Sequence, residues 1–332
     1  MKILVIRASA IGDVFLAGQF AQYIKTALPD AQVEWIAEKR CASVLKHNPY
    51  IDRLIIWERN KKDSLFRMIK SAKETSLAEK YDLVIDLQCL LKLFFINARI
   101  KTDKRAGISE YEFPMNLFYD RIVRTQRFEP LKEKYLRIAQ QVLGYSGEAL
   151  DPICAYTQED RKTAEKLFEE IGSNAIACVF ATSKAHKYWD MDRWAELSLT
   201  VREKYGAKCV LFGAPSDREY ADSLMQKSDN FISLAGKTTI TESMACLTLC
   251  RACVSVDTAM MHFASVLNIP TVSLYGTNFF YAHHFGRKNV EIVFKGDMNN
   301  KDRKIPDAQC HENMNRIYPE DIIKALDRHL LS

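Results

Sequence analysis

The sequence predicts an α/β protein made of two doubly wound domains, each a parallel sheet with helices on both faces. Three observations predict this fold class. Short apolar runs rich in β-branched residues alternate with helical patterns, the alternation stops once and restarts, and 332 residues leave room for two cores. Continuous apolar strands of this kind are typical of sheets that helices cover on both sides.

The first half of the chain opens with a strand and a helix. Residues 2–6 form a β-branched run, and a loop separates them from a helical pattern over 14–28. Further strands are predicted over 32–36, 53–57 and 83–86, with another helical stretch over 61–80. Strands that alternate with helices in this way indicate parallel βαβ units.

The second half repeats the alternation after a break at residues 147–158. Glycine and proline in that break lead us to predict domains over 1–152 and 153–316, followed by an amphipathic helix within 317–332. Strands are predicted over 175–180, 208–212, 232–234, 252–256 and 271–275, and helices over 189–204, 217–227 and 241–249.

The composition is that of an ordinary soluble protein. Apolar residues make up 48% and charged residues 27% of the chain, which excludes disordered, collagen-like and coiled-coil proteins. The net charge of +5 is mild and spread along the sequence. Nucleic-acid-binding domains usually cluster their Lys and Arg residues, so we expect no nucleic-acid partner.

No signal peptide or membrane span is predicted. The apolar run before Arg7 has four residues, whereas the apolar part of a signal peptide needs about 7–15. The most apolar later stretch, 90–96, is short and contains Lys92, and a membrane span needs about 20 apolar residues. We therefore expect a soluble, cytoplasmic protein.

The nine cysteines are predicted to be free thiols, as is usual in a reducing compartment. Cys246, Cys250 and Cys253 have spacing that can ligate an iron–sulfur cluster. Their positions on a predicted helix and strand argue against a cluster, because such ligands usually stand on a loop. We expect them to be small buried residues.

Ligands of open α/β domains bind outside the carboxyl ends of the strands, so the loops after strands are the places to look for chemistry. The first such loop leads into a helix through Gly12 and Asp13. Asp13 is either a helix N-cap or a general base, and Gly12 would let a substrate approach closely. The loop after 175–180 carries Thr182, Ser183 and Lys187, which suit an anionic ligand or a solvated surface.

Two further loops carry acidic residues. Asp217 is either a cap of the next helix or a ligand of ribose hydroxyls. Asp257 and Thr258 stand where a strand ends and a helix begins, so that backbone N–H groups there could bind a phosphate. His262 lies on the same helix, where a lone histidine is more often packed or solvated than a ligand.

Taken together, these loops resemble the ADP-heptose:lipopolysaccharide heptosyltransferases, glycosyltransferase family 9, and most of all the type that adds the first heptose to Kdo. The resemblance covers essentially the whole chain and depends on the order and spacing of seven segments. They are 11–14, 84–88 with Lys92, 117–121, 181–183 with Lys187 and Trp189, 213–215, 234–238, and 256–258 with His262. Cys89 and Ala259 stand where the family often has glycine.

The resemblance implies a GT-B fold of two Rossmann-like domains that face a central cleft, with the C-terminal helix packing back toward the first domain. It also implies a metal-independent, inverting transfer without a cofactor, in which ADP-heptose is a substrate. Asp13 would be the general base, and Lys187 would act on the leaving group. The residues implied in donor binding are Thr182, Ser183, Lys187, Asp217, Lys237, Asp257, Thr258, Ala259 and His262.

The first domain would take the acceptor, a Kdo-bearing lipid A, during peripheral contact with the cytoplasmic face of the inner membrane. The residues expected to bind it are Gly12, Arg59, Lys61, Lys62 and Arg121. Arginine can grip a carboxylate with two hydrogen bonds, whereas the two lysines could equally be a solvated face. The alternatives are a transferase of this family with another donor or acceptor, a two-domain sugar-nucleotide epimerase, and a non-catalytic nucleotide-sugar-binding module.

Overall fold

A computed structural model describes residues 1–58, 67, 70, 75, 77, 80–90, 93–109, 118–126, 129–277, 287–298 and 305–331. The chain divides into two compact units, Met1–Ala155 and Tyr156–Ser332. Each unit contains one six-stranded sheet in which all strand pairs are parallel. The predicted α/β class is therefore confirmed.

In the first unit the strand order is β3-β2-β1-β4-β5-β6. The strands are β1 Lys2–Ile6, β2 Gln32–Glu38, β3 Arg53–Trp57, β4 Tyr81–Asp86, β5 Thr102–Ser109 and β6 Arg121–Arg124. The helices are α1 Ile11–Ala17, α2 Gln19–Ala27, α3 Lys39–Ala42, α4 Phe94–Asn97 and α5 Leu131–Leu143, with a 3-10 turn at Ser43–Leu45.

In the second unit the order is β12-β11-β10-β7-β8-β9. The strands are β7 Ala175–Val179, β8 Lys208–Phe212, β9 Phe231–Ser233, β10 Ala252–Val256, β11 Thr271–Tyr275 and β12 Val290–Phe294. The helices are α6 Gln158–Ile171, α7 Met191–Tyr205, α8 Arg218–Lys227, α9 Ile240–Leu247, α10 Ala259–Val266, α11 Asp307–Asn315 and α12 Pro319–Leu330, with 3-10 turns at Ala185–Lys187 and Pro215–Asp217.

Both sheets reverse their strand order at one place, and that place positions the candidate site. In the first unit the chain moves outward from β1 through β2 and β3, then returns to the other side of β1 with β4. In the second unit the same reversal lies between β7 and β10. Ligands of open α/β sheets bind at this switch point, outside the carboxyl ends of the two strands.

Central strands are buried on both faces, as their unbroken apolar runs predict. In β1, Ile3, Leu4, Val5 and Ile6 are fully buried. The second unit has its own core, which Trp189 and Trp194 join from the loop after β7 and from α7. The loops at the carboxyl ends of the strands therefore start from buried, fully paired central strands.

The last helix packs within the second unit. Ile322, Ala325 and Leu326 of α12 are fully buried, and all three belong to the apolar core of that unit. Their spacing of three and four residues gives the helix one apolar face. Residues 317–331 are thus part of the second unit, and the expected packing toward the first domain stays a prediction.

Several elements differ from their predicted bounds. The predicted helix 14–28 divides into α1 and α2 at Gly18, where Leu45 Cδ2 would lie 2.8 Å from an added Cβ. Most of the predicted helix 61–80 lies outside the described residues. The strands β5, β6 and β12 have no counterpart in the prediction. Among the described helices, none is both long and apolar enough to cross a bilayer.

The cysteines behave as core residues. Seven of the nine are buried, and Cys89 and Cys154 are half-buried. Burial raises the pKa of Cys246 and of Cys253 to about 12, so both thiols stay protonated at neutral pH. Within the described ranges, no three His, Cys, Asp or Glu side chains converge as metal ligands.

Candidate active site

In the first unit, the loops after β1 and β4 are joined by the side chain of Gln88. Its Oε1 accepts a hydrogen bond from Ala8 N at 2.9 Å, and its Nε2 donates to Ser9 O at 2.8 Å and to Ser9 Oγ at 3.2 Å. One amide therefore uses both ends to hold the backbone that leads into α1. The two loops at the switch point of this unit are therefore hydrogen-bonded to each other.

Asp13 is the third residue of α1, and its side chain is 40% exposed. Arg7 Nη2 lies 3.0 Å from Asp13 Oδ2, while Arg7 Nη1 donates to Leu87 O at 2.9 Å. The N-cap of α1 is Ala10, without a side-chain capping bond, so the N-cap interpretation of Asp13 is wrong. Gly12 precedes Asp13 in the first turn and is partly exposed. The carboxylate is thus open to solvent and held in one direction.

A buried carboxylate lies beneath this loop. Asp86, at the end of β4, accepts from the backbone N–H groups of Gln88 at 2.9 Å and Cys89 at 2.8 Å. Its other oxygen accepts from Asn97 Nδ2 at 3.1 Å and from the Tyr119 hydroxyl at 2.8 Å. Burial raises the pKa of Asp86, and these hydrogen bonds oppose the rise. The network supports the loop that contacts Ser9 and Arg7.

The predicted acceptor residues are only partly described. Arg121 is exposed and opens β6, where it pairs with Ala106 of β5. It lies toward the carboxyl end of the sheet, but three strands from β1, which is about 14 Å at the usual strand spacing. The structure therefore does not bring Arg121 against Asp13. Arg59, Lys61 and Lys62 lie outside the described residues.

In the second unit, Lys187 and Asp257 meet at the switch point. Lys187 closes the 3-10 turn Ala185–Lys187 in the loop after β7, and Asp257 directly follows β10. The Lys187 ammonium donates to Asp257 Oδ2 in an ion pair, with the two side chains 24% and 18% exposed. Two residues that the sequence placed on separate loops are therefore in contact.

The remaining candidate donor-binding residues of these two loops are close to Lys187 or Asp257 in the sequence. Thr258 is the N-cap of α10 in an extended conformation, without a side-chain capping bond, and Ala259 is the first helical residue. The first turn of α10 presents backbone N–H groups at the positive end of the helix dipole. Thr182 is half-buried and Ser183 exposed. His262 is buried, which favours a packed histidine over an open ligand.

The loops after β8 and β9 are tied to each other. Asp217 Oδ2 accepts from Ala214 N at 2.7 Å, and Gly236 N donates to Gly213 O at 2.9 Å. Asp217 stands at the N-cap position of α8 but makes no side-chain capping bond there, so the expected cap of the next helix is not formed. Its carboxylate instead closes the preceding 3-10 turn, and its ribose role stays a prediction. Gly236 has φ +65°, a conformation that favours glycine. Lys237, which follows it, is exposed.

Sequence reasoning missed the residues that hold the predicted ones in place. The sequence patterns assign no role to Arg7 or Gln88, although each follows a predicted strand by one or two residues. Asp86 is a carboxylate that directly follows the buried apolar run 83–85 at the end of β4, which is a recognisable pattern for a buried polar anchor. No local pattern could have paired Lys187 with Asp257, because 70 residues separate them.

This chain is similar to the members of one known protein family. The model of glycosyltransferase family 9 (heptosyltransferase) matches residues 70–309. Lipopolysaccharide heptosyltransferase 1 of Pseudomonas aeruginosa is 26% identical over 88% of this chain and 83% of its own length. Lipooligosaccharide heptosyltransferase 2 of Haemophilus ducreyi is 27% identical over 99% of both chains.

A solved structure shares the fold. The structure of Escherichia coli ADP-heptose lps heptosyltransferase II superposes with a TM-score of 0.77 at 21% identity, over 100% of this chain and 99% of that one. The two Rossmann-like units are thus those of a GT-B fold, as the resemblance implies.

Proposed function

We propose, on the premise that this chain belongs to glycosyltransferase family 9, the heptosyltransferase family, that it transfers heptose from ADP-L-glycero-β-D-manno-heptose to Kdo of the lipopolysaccharide inner core. The proposal makes the second unit the donor-binding domain and the first unit the acceptor-binding domain. Kdo-bearing lipid A is the proposed acceptor, and the donor is a substrate rather than a cofactor.

The observation that carries the donor half is the Lys187–Asp257 ion pair at the switch point of the second unit. A diphosphate needs cations and N–H donors, and a sugar needs hydrogen-bond acceptors for its hydroxyls. Lys187 would turn to the phosphates of ADP, and Asp257 would then accept from heptose hydroxyls. Thr182, Ser183 and the first turn of α10 would supply further donors to the phosphates. Asp217, Lys237 and His262 are proposed to contact other parts of the donor.

The reaction follows from an open carboxylate in the first unit. Asp13 would accept the proton of the acceptor hydroxyl while that oxygen bonds to the anomeric carbon of heptose. The bond between the anomeric carbon and the ADP oxygen breaks in the same step, which inverts the anomeric configuration. Negative charge then grows on ADP, and Lys187 with the N–H groups of α10 would stabilise it without a metal ion.

Arg7 would serve this step by orientation. Its guanidinium holds the Asp13 carboxylate from one side, and Leu87 O fixes the guanidinium in turn. For the acceptor we propose Gly12 and Arg121, with Arg59, Lys61 and Lys62 as further contacts to acidic groups. Because lipid A is anchored in a bilayer, we propose peripheral contact with the cytoplasmic face of the inner membrane.

A second candidate acceptor has support of its own. The Haemophilus ducreyi relative, which matches almost the whole chain, is named a heptosyltransferase 2. We therefore retain transfer to an inner core that already carries one heptose as the alternative.

The test measures the rate of heptose transfer from ADP-heptose to Kdo-lipid A and, in a separate reaction, to heptosyl-Kdo-lipid A. Faster transfer to Kdo-lipid A supports the proposal, and transfer only to the heptosylated acceptor favours the alternative. A panel of other nucleotide sugars serves as the donor control, and product formed only with one of them would contradict the proposed donor.

A further inference from the structure

The turn that carries Lys187 has a second polar residue, which the proposed mechanism does not use. His186 Nδ1 lies 3.1 Å from Asp307 Oδ2, and the imidazole is only 16% exposed. Asp307 is the first residue of α11, a helix far along the chain from the loop after β7. An imidazole next to the lysine is therefore held by a carboxylate from a different element.

Helix α11 contacts the same turn at a second atom and is itself anchored on the sheet. Cys310 Sγ donates to His186 O at 3.5 Å. Asn313 Nδ2 donates to Gly276 O at 2.9 Å, and a Cβ at Gly276 would stand 2.3 Å from Cys310 O. The helix thus packs directly against the residue that follows β11. Helix α11 therefore contacts both His186 and the end of β11.

The loop after β7 is held on the other side of Lys187 as well. The indole Nε1 of Trp189 donates to Ile317 O at 3.0 Å, and Trp189 is almost fully buried. Residues on both sides of Lys187 are therefore bonded to the segment 307–317, His186 through its imidazole and its carbonyl and Trp189 through its indole. Lys187 itself extends from this supported turn to Asp257.

The electrostatics of Cys310 place these groups in one cluster. Burial raises the pKa of Cys310 to about 11, Lys187 opposes the rise, and Asp257 and Asp307 add to it. The thiol is thus within electrostatic reach of the ion pair at the switch point and of the partner of His186.

We propose that His186 is a positioning residue for the nucleotide diphosphate: held by Asp307, it fixes the 3-10 turn that presents Lys187 to the phosphates. The inference rests on the proposed function, because it takes ADP as the ligand of Lys187. Since His186 would act through Lys187, its loss should weaken diphosphate binding and leave acceptor binding unchanged.

The experiment measures ADP binding to the full chain by titration calorimetry, with the melting temperature recorded for each variant. His186→Ala and Asp307→Ala should each weaken ADP binding by about fivefold, and the double variant by no more than either single one. His186→Asn, whose amide can donate from near the Nδ1 position, should recover most of the affinity. Lys295→Ala is the matched control, because it breaks an exposed pair with Asp321 of 2.6 Å elsewhere in this unit.

Repeating the His186→Ala substitution in a Lys187→Ala variant distinguishes action through Lys187 from a merely structural role. If His186 acts through Lys187, adding His186→Ala to Lys187→Ala should cause no further loss of ADP affinity. Equal losses in both backgrounds, or ADP affinity unchanged in His186→Ala, would overturn the inference while the proposed function stands. A wild-type chain that does not bind ADP would overturn the proposed donor, and this inference with it. If His186→Ala fails to fold, Asp307→Ala and His186→Asn decide.

Discussion

Arg7 and Asp13 form an ion pair across the loop between β1 and α1, with 3.0 Å between Nη2 and Oδ2. Arg7 is the less exposed partner at 16%, and its second nitrogen is bonded to a backbone carbonyl. The arginine therefore has little freedom, and it directs a carboxylate that solvent can reach. This arrangement suits a base that must meet a substrate hydroxyl in one geometry.

Removing either partner should lower the rate of transfer and leave donor binding intact. Asp13→Asn should reduce kcat by about 10³-fold, because the amide cannot accept the proton. Arg7→Met should reduce kcat by about 10- to 100-fold through misplacement of the carboxylate, and Arg7→Lys should recover part of it. Steady-state kinetics with ADP titrations separate the two effects. Wild-type kcat in Asp13→Asn would refute its role as the base.

The Lys187–Asp257 pair makes the donor compete with an internal carboxylate. Asp257→Asn should tighten ADP binding by about two- to fivefold, because the ammonium no longer has to leave an ionic partner. The same variant should slow transfer from ADP-heptose, because a proposed sugar contact is lost. Lys187→Met should weaken ADP binding by about tenfold. Calorimetry with ADP measures the affinity of both variants. Weaker ADP binding in Asp257→Asn than in wild type would show that the ion pair does not compete with the nucleotide.

Cys89 occupies a position that glycine would fill without strain. Its φ is +47°, and its Sγ lies 3.4 Å from Asp86 O and 3.1 Å from Ile108 N. Alanine and glycine variants both lose the sulfur contacts, but only alanine keeps the strain of a left-handed Cβ. Cys89→Gly should therefore be more stable than Cys89→Ala by about 1 kcal/mol in urea unfolding. Equal midpoints for the two variants would argue against strain at this position.

Asp86 gives the first unit a pH dependence with a defined sign. Its pKa in the folded protein lies above the usual 3.8 because burial outweighs its hydrogen bonds. The folded state then binds this proton more tightly than the unfolded state, so lowering the pH from neutral adds stability through this group. Relative to Asp86→Asn, the wild type should gain free energy of unfolding as the pH falls. A difference between the two that stays constant from neutral pH down to the ordinary carboxyl value of 3.8 would contradict the shift.

Most of the fold could be predicted from local patterns. The bounds of β3, β8, β10 and β11 agree with the apolar runs that predict them. Three strands at or next to a sheet edge, β5, β6 and β12, were not predicted. Charged residues interrupt or flank the apolar run in each of them. In β6, Arg121 and Arg124 are exposed and only Val123 is buried. A strand of this kind is defined by pairing with β5 rather than by its own composition.

The candidate site was predictable only as separate residues. The positions of Asp13, Lys187 and Asp257 at the ends of strands could be predicted because parallel strands present their carboxyl ends on one side. Their partners could not, because contacts such as Lys187 with Asp257 depend on strand order rather than on spacing. Asp13 also shows the limit of local rules, since a carboxylate near a helix start is the usual pattern of an N-cap, and the structure shows no such cap.

The most direct test of the account is heptose transfer from ADP-heptose to Kdo-lipid A by the purified chain with a chelator present, with the anomeric configuration of the product determined by NMR. We predict that wild type forms the product with inverted configuration and without added metal, and that Asp13→Asn forms almost none. Retained configuration, a strict requirement for a divalent metal, or absence of product with ADP-heptose would contradict it.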